Sequence, residues 1–340
     1  MTAERRIKWG MLFNGDNLSL NEILRYARMA EEAGADSLWS SDLGRDAFTP
    51  LAAMAGVVGS VRLGTAVATF SRPPMHTETA AMTMAELTGQ NFVLGLGTAP
   101  PAWNRDWHGL ADYKPVTRMR EYVRCIRKMW SASPTRAIDH DGTFVSVRGY
   151  RRFIPAPCRP VPIYLAAVQE RMLELAGEIG DGLLANTLNT PAYFRDIVHP
   201  RIAAGMAKAG RADAPFEIAA LKACTVHEDR KRARALARHA IAFYATLDYF
   251  DVVLDPAGFA EQKERIRAAH ARNDLSAMLD AVTGDMIDAL VLAGTAEEVR
   301  AQIAPFEGLI DTVILTCPSF PDDPDATRAN HEAMIAAFAR

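Results

Sequence analysis

Residues 161–187 constrain the fold more than any other stretch of the chain. An apolar run, Val161 to Ala167, stops at small residues. Met172, Leu175, Ala176 and Ile179 then recur at the i, i+3, i+4, i+7 spacing of one buried helical stripe, and a second apolar run, Leu183 to Ala185, begins directly after Gly180 and Gly182. A strand, a helix and a strand within so few residues is the repeating unit of a parallel sheet. Small residues at the end of the first strand also let backbone N–H groups approach a phosphate at the helix N-terminus.

The same rhythm runs through the chain. Strands are predicted at Ile7–Phe13, Ser37–Ser41, Val61–Thr69, Phe92–Gly97, Val161–Ala167, Leu183–Ala185, Phe216–Val226 and Thr312–Cys317, with helical patterns between them. Capping boxes, Ser19-Leu20-Asn21-Glu22 and Thr295-Ala296-Glu297-Glu298, open two of those helices, and Thr190-Pro191 opens a third with Thr as N-cap and Pro at N1. Eight strands alternating with helices predict an α/β fold, a (β/α)8 TIM barrel. A doubly wound sheet is disfavoured because the first strand runs into Phe13-Asn14-Gly15-Asp16 and no GxGxxG follows it. We expect one barrel domain over residues 1–340, with insertions near 131–160 and 228–281. The first insertion reads as a loop with a small hairpin, the second as mostly helical.

Bulk properties narrow the function. The 340 residues, 49% of them hydrophobic and with a net charge of −3, allow a large core and give no basic footprint for nucleic acid. No apolar run approaches the ~20 residues of a membrane span. The charged start, Met1 to Lys8, is unlike a signal peptide, so a cytoplasmic protein is expected. Cys125, Cys158, Cys224 and Cys317 are scattered, as expected of reduced, buried thiols. The histidines lack metal-ligand spacing, and GxSxG is absent. Cys317, at the end of the last strand, reads as a packed strand cysteine rather than a nucleophile.

In a barrel the site lies at the carboxyl ends of the strands. That singles out the segment after the fourth strand, Gly97 to Gly109, read as a loop, where Trp103, Trp107, Asn104, Asp106 and His108 offer walls for a planar ring and a proton donor. The alternative is that the tryptophans cover the barrel mouth and Asp106 and His108 cap the next helix. Asp42, at the end of the second strand, is either a site carboxylate or a helix cap.

Taken together, Ala33-Gly34-Ala35-Asp36-Ser37-Leu38-Trp39, Arg62-Leu63-Gly64-Thr65-Ala66-Val67, Phe92 to Thr98, Trp107-His108-Gly109 and Ala293 to Val299 carry a resemblance. In order and spacing they resemble the bacterial-luciferase-like superfamily of (β/α)8 oxidoreductases, and most closely the branch that uses coenzyme F420 and includes the methylene-tetrahydromethanopterin reductases. The resemblance implies a non-prolyl cis peptide at Ala66–Val67 behind a deazaflavin ring. It implies Asp42, Gly97 and Thr98 beside the ring, and a phosphate on Ala166, Ala167, Val168 and Gln169, with Asn186 nearby. The chain departs from the Gly-Pro frequent in that phosphate loop. It also carries Leu43 and Pro100 where sugar-phosphate dehydrogenases of the branch have a histidine and a glutamate, which argues against their activity.

The leading expectation is hydride transfer between coenzyme F420 and a small-molecule substrate, with His108 and Asp42 as candidates for proton delivery. Tyr150, Phe153, Tyr244, Tyr249 and Phe250 in the insertions point to an apolar or aromatic substrate. The alternatives are an FMN-dependent monooxygenase served by a partner reductase, and a non-catalytic barrel. The relatives imply a homodimer.

Overall fold

The computed structural model describes residues 6–14, 17–110, 114–155, 159–318, 320 and 323–339. Cys158, Gly15 and Asp16 lie outside the described residues. Eight parallel strands form the barrel: β1 (Lys8–Phe13), β2 (Ser37–Ser40), β3 (Arg62–Thr65), β4 (Phe92–Gly97), β5 (Ile163–Ala167), β6 (Gly182–Ala185), β7 (Glu217–Val226) and β8 (Thr312–Thr316). Each pairs with the next, and β8 returns to β1 in the register Lys8 with Thr312 through Leu12 with Thr316, which closes the sheet. The chain is thus a (β/α)8 TIM barrel.

The strands are legible because both their faces are buried, which turns each into an apolar run rather than an alternation. Leu12, Trp39, Val93, Tyr164, Leu184, Ala219 and Ile314 fill the barrel interior. Trp39 takes its place there because residue 64 is glycine: a Cβ on Gly64 would lie 2.3 Å from the indole ring. At the amino ends of the strands, Arg62 pairs with Glu217 at 2.9 Å, and Thr312 donates to the same carboxylate at 3.2 Å. Polar groups close that end and leave the other for chemistry.

Helices cover the outside. The Ser19 and Thr295 capping boxes both form, and Thr190 caps Tyr193 N–H at 3.0 Å. Helix Glu170–Ile179 crosses helix His199–Lys208 through two glycines. A Cβ on Gly177 would lie 2.2 Å from the Ile202 carbonyl oxygen, and one on Gly205 1.9 Å from that of Glu174. A widened turn, Phe194–Val198, precedes Pro200, which has no N–H to give to the turn before it.

Three features differ from the sequence expectation. Residues 101–108, taken as loop, form a helix, Pro101–His108, started by a proline at N1 and closed by Gly109 in the left-handed region at φ 66°. A short strand, Leu292–Gly294, extends the sheet beside β7. The first insertion forms its expected hairpin, Ile138–His140 with Val147–Tyr150, but its aromatic residues do not take the expected place. Its Tyr150 hydroxyl donates to the fully buried Glu78 at 2.8 Å, and Phe153 beyond it is 79% exposed. Neither residue reaches a substrate pocket, which corrects that expectation. No helix among the described residues is long and apolar enough to cross a membrane.

Candidate active site

A cavity of about 910 Å³ opens at the carboxyl ends of the strands. Its walls include Asp42, Ala66, Val67, Gly97, Thr98, Ala166, Ala167, Val168, Gln169 and Asn186; of the segment after β4 Trp103 also lines it, whereas Asn104, Asp106, Trp107 and His108 do not. The inner wall is apolar, with Leu12, Leu184 and Leu221 joining Ala66 and Val67. The Ala66–Val67 peptide bond is cis. The Ala66 N–H donates to Ser40 at 2.7 Å, and the Val67 carbonyl accepts from Asp42 N–H at 2.9 Å. The Val67 side chain packs against β4 where residue 97 is glycine: a Cβ there would sit 2.4 Å from Val67 Cγ2.

Asp42 faces the cavity, but its carboxylate is engaged. Oδ1 accepts from Ala47 N–H at 2.8 Å and Oδ2 from Thr69 N–H at 2.8 Å, with Arg72 at 3.5 Å. Asp42 does not cap helix Phe48–Ala55, whose first N–H groups go to Asp46; it binds the N–H of Ala47 just before that helix and ties this turn to the segment after β3. Both oxygens accept backbone N–H groups, so the side chain holds this wall in shape.

His108 is exposed and does not line the cavity. It ends the helix that sequence reading took for a loop, five residues and about 7.5 Å of axial rise beyond the lining residue Trp103. The expectation that it sits in the barrel mouth is therefore corrected.

On the other side, β5 ends at the Ala166–Gln169 loop and leads into helix Glu170–Ile179. No side chain caps this helix, so its first-turn N–H groups face the loop free of a protein side chain. Gln169, at the N-cap position, instead donates to the Tyr249 carbonyl at 2.8 Å, and the Tyr193 hydroxyl donates to the Val168 carbonyl at 2.6 Å. Glu170, the first residue of the helix, also lines the cavity, and its charge is paired with Arg201. Sequence reading missed Tyr193. Its only signal is an aromatic residue soon after the β6 end. Tyr244 and Tyr249 line the cavity as expected, whereas Phe250 is buried behind Tyr249.

Beneath Asn186 a buried chain of hydrogen bonds fixes the β6 end. Asn189 Nδ2 donates to the Asn186 carbonyl at 2.6 Å, and Lys222 Nζ donates to the Asn189 carbonyl at 3.0 Å and the Leu290 carbonyl at 2.8 Å. Burial pushes the Lys222 ammonium down to about 7. Between that value and the ordinary lysine value, the unfolded chain binds the proton and the folded chain does not, so stability rises with pH by about 1.4 kcal/mol per unit. Urea midpoints at pH 7.5 and 9.0 are expected to show a gain of about 2 kcal/mol in the wild type over Lys222→Met. Parallel pH profiles for the two proteins would contradict this assignment.

A parallel barrel with its site at the strand carboxyl ends defines the class. The family model of the luciferase-like monooxygenases matches residues 9–312, and the chain belongs to that family. It is 30% identical over 326 residues to a 5,10-methylenetetrahydromethanopterin reductase of Archaeoglobus fulgidus, covering 93% of this chain and 95% of that one. It is 31% identical to the enzyme of the same name from Methanolobus tindarius, over 83% and 85% of the two chains. The coenzyme F420 dependent tetrahydromethanopterin reductase from Methanopyrus kandleri superposes with a TM-score of 0.82 at 24% identity, over 98% of this chain and 99% of that one.

Proposed function

We propose that the protein is an oxidoreductase that transfers a hydride between coenzyme F420 and a small organic substrate with an apolar or aromatic body. One observation carries the reading. A single cavity joins the cis Ala66–Val67 backbone, the glycine against which the Val67 side chain packs, and a helix N-terminus without a side-chain cap. An apolar inner wall suits a planar ring, and free N–H groups at a helix start suit a phosphate. A relative from Mycobacterium tuberculosis, 29% identical over 82% of this chain and 85% of its own length, carries the name putative coenzyme F420-dependent oxidoreductase, which supports the choice of F420.

When bound, the deazaflavin supplies or accepts a hydride at its C5 carbon. The chain does the rest. Leu12, Ala66, Val67 and Leu184 exclude water from the ring face. Asp42 holds the loop that flanks it, Gln169 and Tyr193 hold the phosphate loop, and Asn186 is held from below by the Lys222 chain. With Asp42 engaged and His108 outside, these residues position and desolvate rather than transfer protons. Titration with F420 and with FMN, followed by the fluorescence of each, is expected to show saturable binding of F420 and at least tenfold weaker binding of FMN. The reverse order would favour the oxygen-dependent chemistry of flavin monooxygenases, and binding of neither would overturn the reading.

A further inference from the structure

Trp103 and Trp107, one turn apart on helix Pro101–His108, stack with ring centroids 4.5 Å apart and planes 19° from parallel. Trp103 lines the cavity, and Trp107 behind it is 64% exposed. Leaving so much indole in water opposes the hydrophobic effect, and Trp107 does so while covering the outer face of the ring that borders the cavity.

The helix is seated by a fully buried side chain. Asn104 Nδ2 reaches the carbonyls of Thr98, Ala99 and Pro100 at 2.6, 3.3 and 3.2 Å, and the Asn104 carbonyl accepts from Leu110 N–H at 2.9 Å. Trp103 is thereby fixed to the end of β4. Neighbouring Arg105 and Asp106 pair with each other at 2.7 Å, so their charges neutralise one another on the outer side. Across the mouth, on the segment that follows β7, Phe243, Tyr244 and Tyr249 form a second aromatic wall of the same cavity. β4 and β7 are three strands apart in a ring of eight, so the two walls stand on well-separated sides of the opening.

We propose that Trp103, backed by Trp107 and seated by Asn104, is the surface on which a planar conjugated ring of the substrate stacks, and that it sets the preference for such substrates. The inference rests on the reading of the cavity above in placing the substrate at the mouth, outside the cofactor. Stacking on an aromatic face adds to what area burial alone provides, and only a flat ring gains it. Trp103 is a specificity-determining residue and takes no part in the hydride step.

The test compares 2-naphthoate with decalin-2-carboxylate, which share charge and carbon skeleton and differ in planarity. Binding to the F420-loaded protein is measured by calorimetry, with F420 affinity measured separately by its fluorescence. 2-Naphthoate is expected to bind saturably and at least tenfold more tightly than the decalin. Trp103→Ala is expected to lose that preference, Trp103→Phe to retain most of it, and both to leave the F420 affinity unchanged. Equal binding of the two probes by the wild type, no saturable binding of 2-naphthoate, or an unchanged preference in Trp103→Ala would each overturn the inference while leaving the F420 reading standing. A wild type that binds no F420 overturns the cofactor reading instead, and the same probe comparison on the unloaded protein then decides the role of Trp103.

Discussion

Gly205→Ala is expected to destabilise the protein by about 3 kcal/mol or more, although it adds one methyl group to a helix and improves helix propensity. The added carbon would sit 1.9 Å from the Glu174 carbonyl oxygen, a backbone atom with no side-chain rotation to relieve it. The helices Glu170–Ile179 and His199–Lys208 must then move apart, and Gly177 against Ile202 lies on the same seam. Lys208, at 3.1 Å from Glu174 and 3.4 Å from Glu178, would lose its pairs as the seam opens. Thermal unfolding reads this as a melting temperature lower by about 4 °C or more. A variant that melts within 1 °C of the wild type would show that the crossing has slack. Helix Glu170–Ile179 also presents its N-terminus to the cavity, so a weaker cofactor affinity is expected to accompany the lower stability.

Gly97→Ala separates fold from function in the opposite way. Its new Cβ would meet Val67 Cγ2 at 2.4 Å, but Val67 is a side chain with the cavity beside it. Val67 can turn toward that space, so the barrel is expected to keep its melting temperature within a few degrees. The space it enters is the apolar wall assigned to the ring. F420 affinity is expected to fall at least thirtyfold, about 2 kcal/mol. Fluorescence titration checks this, and an affinity within threefold of the wild type would remove Gly97 and Val67 from the proposed ring site.

The barrel strands were legible because burial on both faces leaves apolar runs that few other structures produce, and the capping boxes at Ser19 and Thr295 because their bonds are local. Helix Pro101–His108 was not legible. It is short, starts with prolines that also signal turns, and is held by Asn104 bonds to backbone carbonyls that the residue type does not announce. That misreading carried His108 into the site, since a residue in a loop can face inward and one in the last turn of this helix does not. Tyr150 and Phe153 failed for a related reason. Aromatic composition shows that a segment packs against something, and only tertiary contact shows that Tyr150 packs on Glu78 rather than at the barrel mouth. The position of the Ala66–Val67 bond came from resemblance, because no local chemistry in those two residues marks it. The Lys222 chain was invisible, since it joins residues from β7, the segment after β6 and the end of another helix.

The pairing of β1 with β8 also has a consequence for biosynthesis. Lys8 meets Thr312, partners more than 300 positions apart. The ribosome would deliver the first strand roughly 15–60 s before the last at ordinary elongation rates. Throughout that interval the growing sheet has two open edges, and the edge of β1 must stay unpaired. The nascent chain therefore waits as an unsealed arc whose outermost strand is a template for any other extended segment. The position of Thr312 late in the chain thus sets how long that edge stays open to pairing with other extended segments.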